Sequence, residues 1–414
     1  MQLTIFDSVE NAERLGVDLA ELFSAYYQCR KNKRNTANAL AFEVDLEENL
    51  IDLWRELNSG LYQPRRSIAF VLDQPVKREI FAADFRDRVV HHWLIGKLNP
   101  LFEKQFIYDS YACRVGKGTH FGIKRADRFI RRCSANYTHD CYVLKLDIQG
   151  FFMHIDRKRL FDRLQQFIRQ KYKGKDRQKV LEVTEKIVFN DPVRNCFKKS
   201  SPKKWKGLPP SKSLFHSSPN CGLPIGNLTS QIFANFYMDG FDHFIKHDLG
   251  LKHYGRYIDD FIIVHESQDF LKQLIRTLHT FLKENLGLSI HPKKIHLQHY
   301  TKGLPFLGVI IKPNRIYAGA RTKSNFYEAL QRQNAVALDH KPNQEQQAHF
   351  LSSINSYLGI LKHYHTYRLR KKMLWRHLSG YWWNLSYSSG GYAKLVMKVK
   401  KAKGRAFNRM NNYK

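Results

Sequence analysis

Two adjacent carboxylates stand inside an apolar run over residues 254–264, in Tyr257-Ile258-Asp259-Asp260-Phe261. Aspartate is disfavoured in strands, and a buried carboxylate is costly unless it is paired or bound to a metal. Neighbouring carboxylates also repel and shift each other's pKa. A divalent cation at that point would offset the cost. Adjacent oxygen ligands suit Mg²⁺, which takes few protein carboxylates plus substrate phosphates. The spacing predicts strand, tight turn, strand, with Asp259 and Asp260 at the hairpin tip. The plain alternative is a solvated Asp-Asp turn, because a five-residue motif is a hypothesis until its context agrees.

A two-metal site needs another carboxylate on a neighbouring element. Asp147 is the best candidate, at the end of the apolar run Tyr142-Val143-Leu144-Lys145-Leu146. That run reads as a buried strand, and an Asp at a strand end can face both core and solvent. Gly150 and the aromatics Phe151 and Phe152 after it predict a turn into a helix. Asp156 is nearby but reads as the N-cap of a helix through Arg157-Lys158-Arg159-Leu160.

These groups need elements to hold them. A chain of 414 residues, 43% apolar, allows two or three domains and a sizeable core. Lys and Arg number 69 against 37 Asp and Glu, a net +32. That excess points to a polyanionic partner, most simply nucleic acid. Charge alone also allows a solvated basic face or a binder without catalysis. Basic and aromatic residues interleave in Lys203-Lys204-Trp205-Lys206 and His363-Tyr364-His365-Thr366-Tyr367-Arg368, a pattern that suits backbone contacts with stacking. The 6 cysteines form no CxxC pair, so neither a zinc site nor a disulfide framework is expected. The first seven residues lack the features of a signal peptide. No apolar run approaches a membrane span. A cytoplasmic protein is expected.

Residues 1–60 read as helical. An apolar run over 68–72, broken by Asp73-Gln74-Pro75 and followed by 76–81, predicts a β-hairpin. A helix opens at Arg86 and is expected to end near Asn99-Pro100, and another covers 124–132. Residues 191–221, rich in Pro, Ser and Lys, read as a long loop. Gly222-Leu223-Pro224-Ile225-Gly226-Asn227-Leu228-Thr229-Ser230-Gln231 reads as a glycine-bearing loop entering a helix over 230–246. It is either an ordinary helix start capped by Thr229 or Ser230, or a loop that holds a phosphate, sugar or base. A helix over 270–286, short strands over 288–294 and 303–311, and basic helices from Thr322 follow. The basic end, 398–414, is expected to be partly disordered without nucleic acid.

The order of these parts resembles the reverse transcriptases. Leu146-Asp147-Ile148-x-x-Phe151-Phe152 is similar to their first catalytic motif and Tyr257-Ile258-Asp259-Asp260 to the third. Ser289-Ile290-His291-Pro292-Lys293-Lys294 resembles the lysine-bearing fourth motif, and Phe306-Leu307-Gly308 the primer-grip strand. Arg78 stands before Arg86-Asp87-Arg88 as the fingers arginine does in group II intron and related bacterial enzymes. Many reverse transcriptases carry Gln-Gly-x-x-x-Ser-Pro where this chain has Ile225-Gly226-Asn227-Leu228-Thr229-Ser230-Gln231. That variant resembles the enzymes of diversity-generating retroelements. So do Ile80-Phe81-Ala82-Ala83-Asp84-Phe85-Arg86-Asp87-Arg88, Asp109-Ser110-Tyr111-Ala112-Cys113-Arg114, Lys212-Ser213-Leu214-Phe215 and Asn355-Ser356-Tyr357-Leu358-Gly359. Ile258 replaces the Met or Val of many relatives, a conservative departure.

The resemblance implies an α+β right-hand polymerase fold. It places an N-terminal helical extension at 1–60, fingers at 61–140, and the palm at 141–156 and 222–318. Fingers helices with a basic insertion take 157–221, and a helical thumb with a basic tail 319–414. It implies an RNA-directed DNA polymerase using two Mg²⁺, with Mn²⁺ as a substitute. Asp147 and Asp259 would bridge the metals, Asp260 would be a weaker ligand, and the Ile148 carbonyl would complete one shell. Lys77, Arg78, Phe152, Gly226, Gln231 and Lys293 would contact the dNTP, with Lys294 as the alternative to Lys293. Phe152 would exclude a 2′-hydroxyl. Ile225 and Gln231 are the fidelity candidates, and Phe306, Leu307 and Gly308 the primer grip.

Implied partners are a template RNA, the cDNA/RNA hybrid, dNTPs and a small basic oligomeric accessory protein, in a bacterial or phage setting. The cDNA would carry errors at template adenines and replace part of a variable target gene by mutagenic retrohoming. The alternatives are a retron, group II intron or abortive-infection enzyme, or a non-catalytic RNA-binding maturase on the same fold.

Overall fold

The computed structural model describes residues 16–31, 36–73 and 76–398. It divides into two compact units, Met1–Tyr300 and Thr301–Lys414. The start of the chain and the basic segment 399–414 lie outside the described residues.

Among the described residues, the first unit begins with α1 (Leu19–Arg30), α2 (Ala37–Val44) and α3 (Leu46–Ser59), as the periodicity predicts; the helical reading of 1–15 lies outside the described residues. Asp18 caps α1 by accepting from the Ala20 N–H at 2.8 Å. Leu50, Leu53 and Leu57 form the buried stripe of α3. The hairpin expected next is present as β1 (Ser67–Leu72) and β2 (Arg78–Ala82), with Leu72 opposite Arg78. Then α4 (Phe85–Gln105) runs through Pro100 instead of stopping there. Its buried stripe continues across the proline as Leu94, Leu98 and Phe102. Burying such side chains at about 1.5–3 kcal/mol each offsets the ~3 kcal/mol cost of a proline in a helix.

α5 (Thr119–Cys133) leads to β3 (Tyr142–Asp147), the one-turn α6 (Phe151–His154), α7 (Arg157–Lys171) and α8 (Arg177–Phe189). Asp156 caps α7 as predicted, accepting from the Arg159 N–H at 2.9 Å. Residues 191–221 are more structured than the expected loop. β4 (Cys196–Lys198) adds parallel to β1, and the short α9 (Pro202–Trp205) follows. Both lead into an anchor on β2: buried Glu79 accepts from Trp205 Nε1 at 2.9 Å, Ser213 Oγ at 2.8 Å and the Leu214 N–H at 2.7 Å. The anchor is remote in sequence, so local composition could not reveal it.

α10 (Leu228–His243) starts earlier than predicted and passes into a π-helical turn at Phe244–Asp248. Its N-cap residue is Asn227, not Thr229 or Ser230, and the Asn227 side chain accepts from the Ala83 N–H at 3.1 Å instead of capping the helix. β5 (Tyr254–Tyr257), β6 (Asp260–His265), α11 (Gln268–Leu286) and β7 (His296–His299) complete the unit. The strand expected over 288–294 is a single bridge from Ile290 to Ile148 followed by a 3-10 turn at Pro292–Lys294. Pro292 cannot donate to a ladder, so pairing resumes only at His296.

The central sheet has the order β5-β6-β3-β7, every pair antiparallel. Leu144, Leu146, Phe261 and Ile263 join the main core with Phe233, Tyr237 and Phe241 of α10 and Leu271, Leu278 and Leu282 of α11. Val143, Ile262 and Val264 are buried on the other face, where α5 packs on β5 and β6. Cover on both faces is why these strands read as continuous apolar runs.

The second unit begins with a meander, β8 (Leu304–Phe306), β9 (Val309–Lys312) and β10 (Arg315–Ala318). The expected helices follow as α12 (Ala320–Asp339), α13 (Gln344–Leu361), α14 (Tyr367–His377) and α15 (Gly380–Leu385). An unpredicted hairpin, β11 (Ser386–Ser389) with β12 (Lys394–Met397), follows them. Phe350 stacks on Trp382 at 3.8 Å inside a core with Phe326, Leu330, Ile354 and Leu374. α14 exposes Arg368, Lys371, Lys372, Trp375 and Arg376.

Candidate active site

Tyr257 pairs with Asp260, so the β5–β6 connection is the two-residue turn Ile258-Asp259. Ile258 has φ 58°, a left-handed conformation that costs a β-branched residue about 1–3 kcal/mol. Asp259 sits at the tip as predicted. Asp260 is instead the first residue of β6, directly opposite Asp147 in the β3–β6 register. Backbone bonds fix both strand ends: the Ile148 N–H donates to the Asp259 carbonyl at 3.1 Å, and the His291 N–H to the Asp147 carbonyl at 2.8 Å.

Like charges placed directly opposite are destabilising. Two lysines meet that cost. Lys294 Nζ lies 2.8 Å from both carboxylate oxygens of Asp147. Lys145, on the same strand face, lies 3.2 Å from Asp260 Oδ2. Burial pushes the Asp259 carboxyl up to about 6, with the Asp147 charge adding to it and Lys294 and Arg78 opposing it. Burial likewise lifts Asp260 to about 7 against the pull of Lys145, with Asp259 and Asp147 adding to the rise. The three carboxylates form one electrostatic unit.

Among the described residues, no group of three or more His, Cys, Asp or Glu side chains is preassembled to hold a metal. The donor set still fits a hard cation. Asp260 Oδ1 is buried without a hydrogen-bond partner among the described residues, and such an atom is costly unless something satisfies it. Mg²⁺ at phosphoryl-transfer sites needs only one or two carboxylates plus substrate phosphates. Asp147, Asp259 and Asp260 are therefore the residues that could hold it.

Residues 77–311 match the family described as "Reverse transcriptase (RNA-dependent DNA polymerase)". The chain belongs to the reverse transcriptase family. A curated relative, the "Putative COX1/OXI3 intron 2 protein" of Saccharomyces cerevisiae, is 23% identical over 359 residues. The match takes in 72% of this chain and 38% of that protein, so this chain spans well under half of its relative. Among solved structures, telomerase from Candida albicans in complex with a TWJ fragment of telomeric RNA matches at TM-score 0.45 and 11% identity, over 77% of this chain and 57% of that one. Apo telomerase from Candida tropicalis matches at TM-score 0.47 and 12% identity, over 75% and 58%. The expected α+β class holds, and the antiparallel central sheet agrees with a right-hand polymerase fold.

Within this reverse transcriptase chain, Arg78 is exposed at the start of β2, and its charge is felt at Asp259. Lys77 is engaged elsewhere: its Nζ donates to the Lys206 carbonyl at 2.8 Å and lies 3.6 Å from Asp73. Both lysines after Pro292 are exposed, and Lys294 is the one whose Nζ sits on Asp147. Phe152 is half-buried, edge-on to Phe151 at 5.5 Å, and packs against two apolar clusters.

Gly226 has φ 124°, and a Cβ there would lie 2.8 Å from Ile80 Cγ2 and 3.0 Å from the Phe81 carbonyl. Its glycine is required by the approach to β2, where the Phe81 N–H donates to the Ile225 carbonyl at 2.8 Å. Ile225 packs with Ala69, Phe81, Met153 and Leu214. Gln231 Oε1 accepts from Cys113 Sγ at 3.2 Å. In the second unit, Leu307 (φ 48°) and Gly308 (φ 85°) form the β8–β9 turn after buried Phe306. The Gly308 carbonyl accepts from Thr322 Oγ1 at 3.1 Å.

The sequence places Cys113 in a family-like motif but does not reveal its contact with Gln231, which is purely tertiary. Sequence reasoning missed the buried polar group around Arg256. An arginine inside the apolar run ahead of the Asp pair was the one signal for it.

Proposed function

We propose that this reverse transcriptase copies RNA into DNA at Asp147, Asp259 and Asp260. The observation that carries this is the register that sets Asp147 opposite Asp260 beside the Asp259 turn. In the reaction, the primer 3′-oxygen bonds to the α-phosphorus of a dNTP, the bond to pyrophosphate breaks, and the hydroxyl proton passes to solvent. Asp147 and Asp259 would hold two Mg²⁺, or Mn²⁺ in their place, with Asp260 weaker and the Ile148 carbonyl assisting. When bound, such ions stabilise the attacking and leaving oxygens. Arg78 offers a guanidinium to the triphosphate. Lys294 can exchange its Asp147 contact for a phosphate oxygen. Phe152 would limit the 2′ position of the incoming sugar.

Primer extension on an RNA template tests this reading. Asp147→Asn and Asp259→Asn should each lose on the order of 10³-fold or more in rate without loss of folding. The second reading, a non-catalytic RNA-binding maturase, is favoured by the likeness to an intron protein. Wild-type protein that binds RNA yet extends no primer would support it.

Within the family, we infer the diversity-generating subclass, in which errors concentrate at template adenines. The segment 225–231 supports it. Sequencing cDNA made on the cognate RNA tests it, and errors spread evenly over the four template bases would overturn it. The proposed organisation keeps fingers at 61–140 and 157–221, palm at 141–156 and 222–318, and thumb from 319. Phe306, Leu307 and Gly308 would grip the primer. The exposed cations of α14 suit an RNA/cDNA backbone. A basic oligomeric accessory protein and a cytoplasmic setting belong to the same proposal. Among the described residues, no helix is long and apolar enough to cross a membrane.

A further inference from the structure

Arg256 lies directly behind the Ile258-Asp259 turn, and its side chain and that of Asp242 are both 0% exposed. Its guanidinium is fully engaged. Nε donates to Asp242 Oδ1 at 2.7 Å and Nη2 to Asp242 Oδ2 at 2.5 Å. Nη1 donates to the Ile258 carbonyl at 2.9 Å and to Asn235 Oδ1 at 3.3 Å. Nη2 also reaches Ser110 Oγ and the Asn235 carbonyl, both at 3.4 Å. Tyr254 adds its hydroxyl to Asp242 Oδ1 at 2.5 Å, and Asn235 Nδ2 donates to the Ala112 carbonyl at 2.7 Å. The Arg256 backbone is tied as well: its N–H donates to the Asp109 carbonyl, and its carbonyl accepts from the Tyr111 N–H, both at 2.9 Å.

Three elements therefore meet on one side chain: α10 through Asn235 and Asp242, the segment 109–112, and the turn that presents Asp259. A buried ion pair is on average no more stabilising than apolar residues of the same volume. What a guanidinium adds is a rigid fork with donors in fixed directions, which a lysine cannot reproduce. Here one arm of the fork closes on the carbonyl of Ile258, the residue held in an unfavourable left-handed conformation. The next carbonyl, that of Asp259, is held from the other side by the Ile148 N–H. The turn is thus clamped at both of its peptide oxygens.

We propose that Arg256 is a positioning residue for the polymerase reaction: it holds the Ile258 carbonyl against α10 and so fixes where Asp259 presents its carboxylate. The proposal rests on the catalytic reading of Asp259. Arg256 is fully buried and acts through the turn.

Arg256→Lys keeps the buried charge but loses the fork. Three quantities are read on the full chain: kcat and KM for dNTP in primer extension, and Mn²⁺ affinity of the protein alone by electron paramagnetic resonance. The expected result is a fall in kcat of about tenfold or more with KM within about twofold, and Mn²⁺ affinity lower by about fivefold or more. Adding Ile258→Gly to Arg256→Lys should recover part of both losses, because glycine takes the turn conformation without strain. A merely structural role predicts that kcat and Mn²⁺ affinity fall only as far as the denaturant midpoint of Arg256→Lys falls, whereas the clamp predicts both losses under conditions where the variant stays fully folded.

Wild-type kcat and Mn²⁺ affinity in Arg256→Lys would overturn the proposal, as would losses that Ile258→Gly deepens. Should Arg256→Lys fail to fold, Asn235→Ala leaves the buried charges paired and must lower Mn²⁺ affinity; an unchanged affinity overturns the clamp. If the wild type extends no primer but its Mn²⁺ affinity still falls on Arg256→Lys, the catalytic reading fails and the clamp stands.

Discussion

Lys294 and Asp147 meet across two elements, with one ammonium 2.8 Å from each carboxylate oxygen. The strand end and the lysine turn are also joined by the bond from the His291 N–H to the Asp147 carbonyl. The Lys294 side chain is partly exposed, yet it is directed at a single carboxylate. It neutralises one member of the Asp147–Asp260 pair and stands where a phosphate oxygen could take it over.

Lys294→Ala should therefore lower kcat for nucleotide incorporation by roughly 10–100-fold, the worth of one charge-assisted hydrogen bond in the transition state. Lys293→Ala should stay within about threefold of wild type, as for an ordinary surface substitution. Steady-state primer extension separates them; equal losses would return the role to both lysines.

Cys113 offers a test of fidelity. Its thiol donates to Gln231 Oε1 at 3.2 Å and so orients the amide. A thiol is a weak donor, so Cys113→Ala should shift misincorporation opposite template adenine by about twofold at most. Gln231→Pro should shift it further. If Gln231→Pro and Ile225→Val both leave the adenine error rate unchanged, segment 225–231 does not set fidelity.

Glu79 anchors the segment between β4 and α10 with three accepted hydrogen bonds. Glu79→Ala strands those donors, at roughly 3–5 kcal/mol. Limited proteolysis should then cut within 196–216 well before the rest of the chain. Unchanged cleavage kinetics would show that the segment is held by packing alone.

Asp87 gives a pH dependence with a definite sign. Burial pushes its carboxyl up to about 6, although the Arg65 N–H, Arg86 and Tyr62 favour the charge. The folded state binds this proton more tightly than the unfolded state, so stability is highest below the unfolded value and is lost as pH rises toward 6. The loss is on the order of 3 kcal/mol at most. Asp87→Asn should remove it. Denaturant midpoints at pH 4.5 and pH 7 should show the variant gaining on wild type at the higher pH; parallel curves would refute the shift.

Much of this protein is legible in its amino-acid sequence alone. An Asp pair inside an apolar run, a second strand ending in Asp147 and a large basic excess are local statements, and local patterning carries them. The helices between Leu19 and Ser59, the β1–β2 hairpin and the Asp156 cap are legible for the same reason. Family membership follows from motif order, and the match over residues 77–311 bears it out.

Other features were decided only when distant segments met. α4 continues through Pro100 because its core stripe outweighs one missing donor. Asn227 leaves its helix uncapped because the Ala83 N–H, remote in sequence, claims its side chain. Lys294, not Lys293, meets Asp147 because a 3-10 turn, not a strand, follows Pro292. Residue type alone determined that carboxylates, lysines and an arginine crowd this chain's centre. Which of them touch was decided by register and burial: Asp260 opposite Asp147, Lys294 on Asp147, and Arg256 locked behind the turn. Pairing energies fall off over a few ångströms, and only the tertiary fold sets distances that short between residues so far apart in the chain.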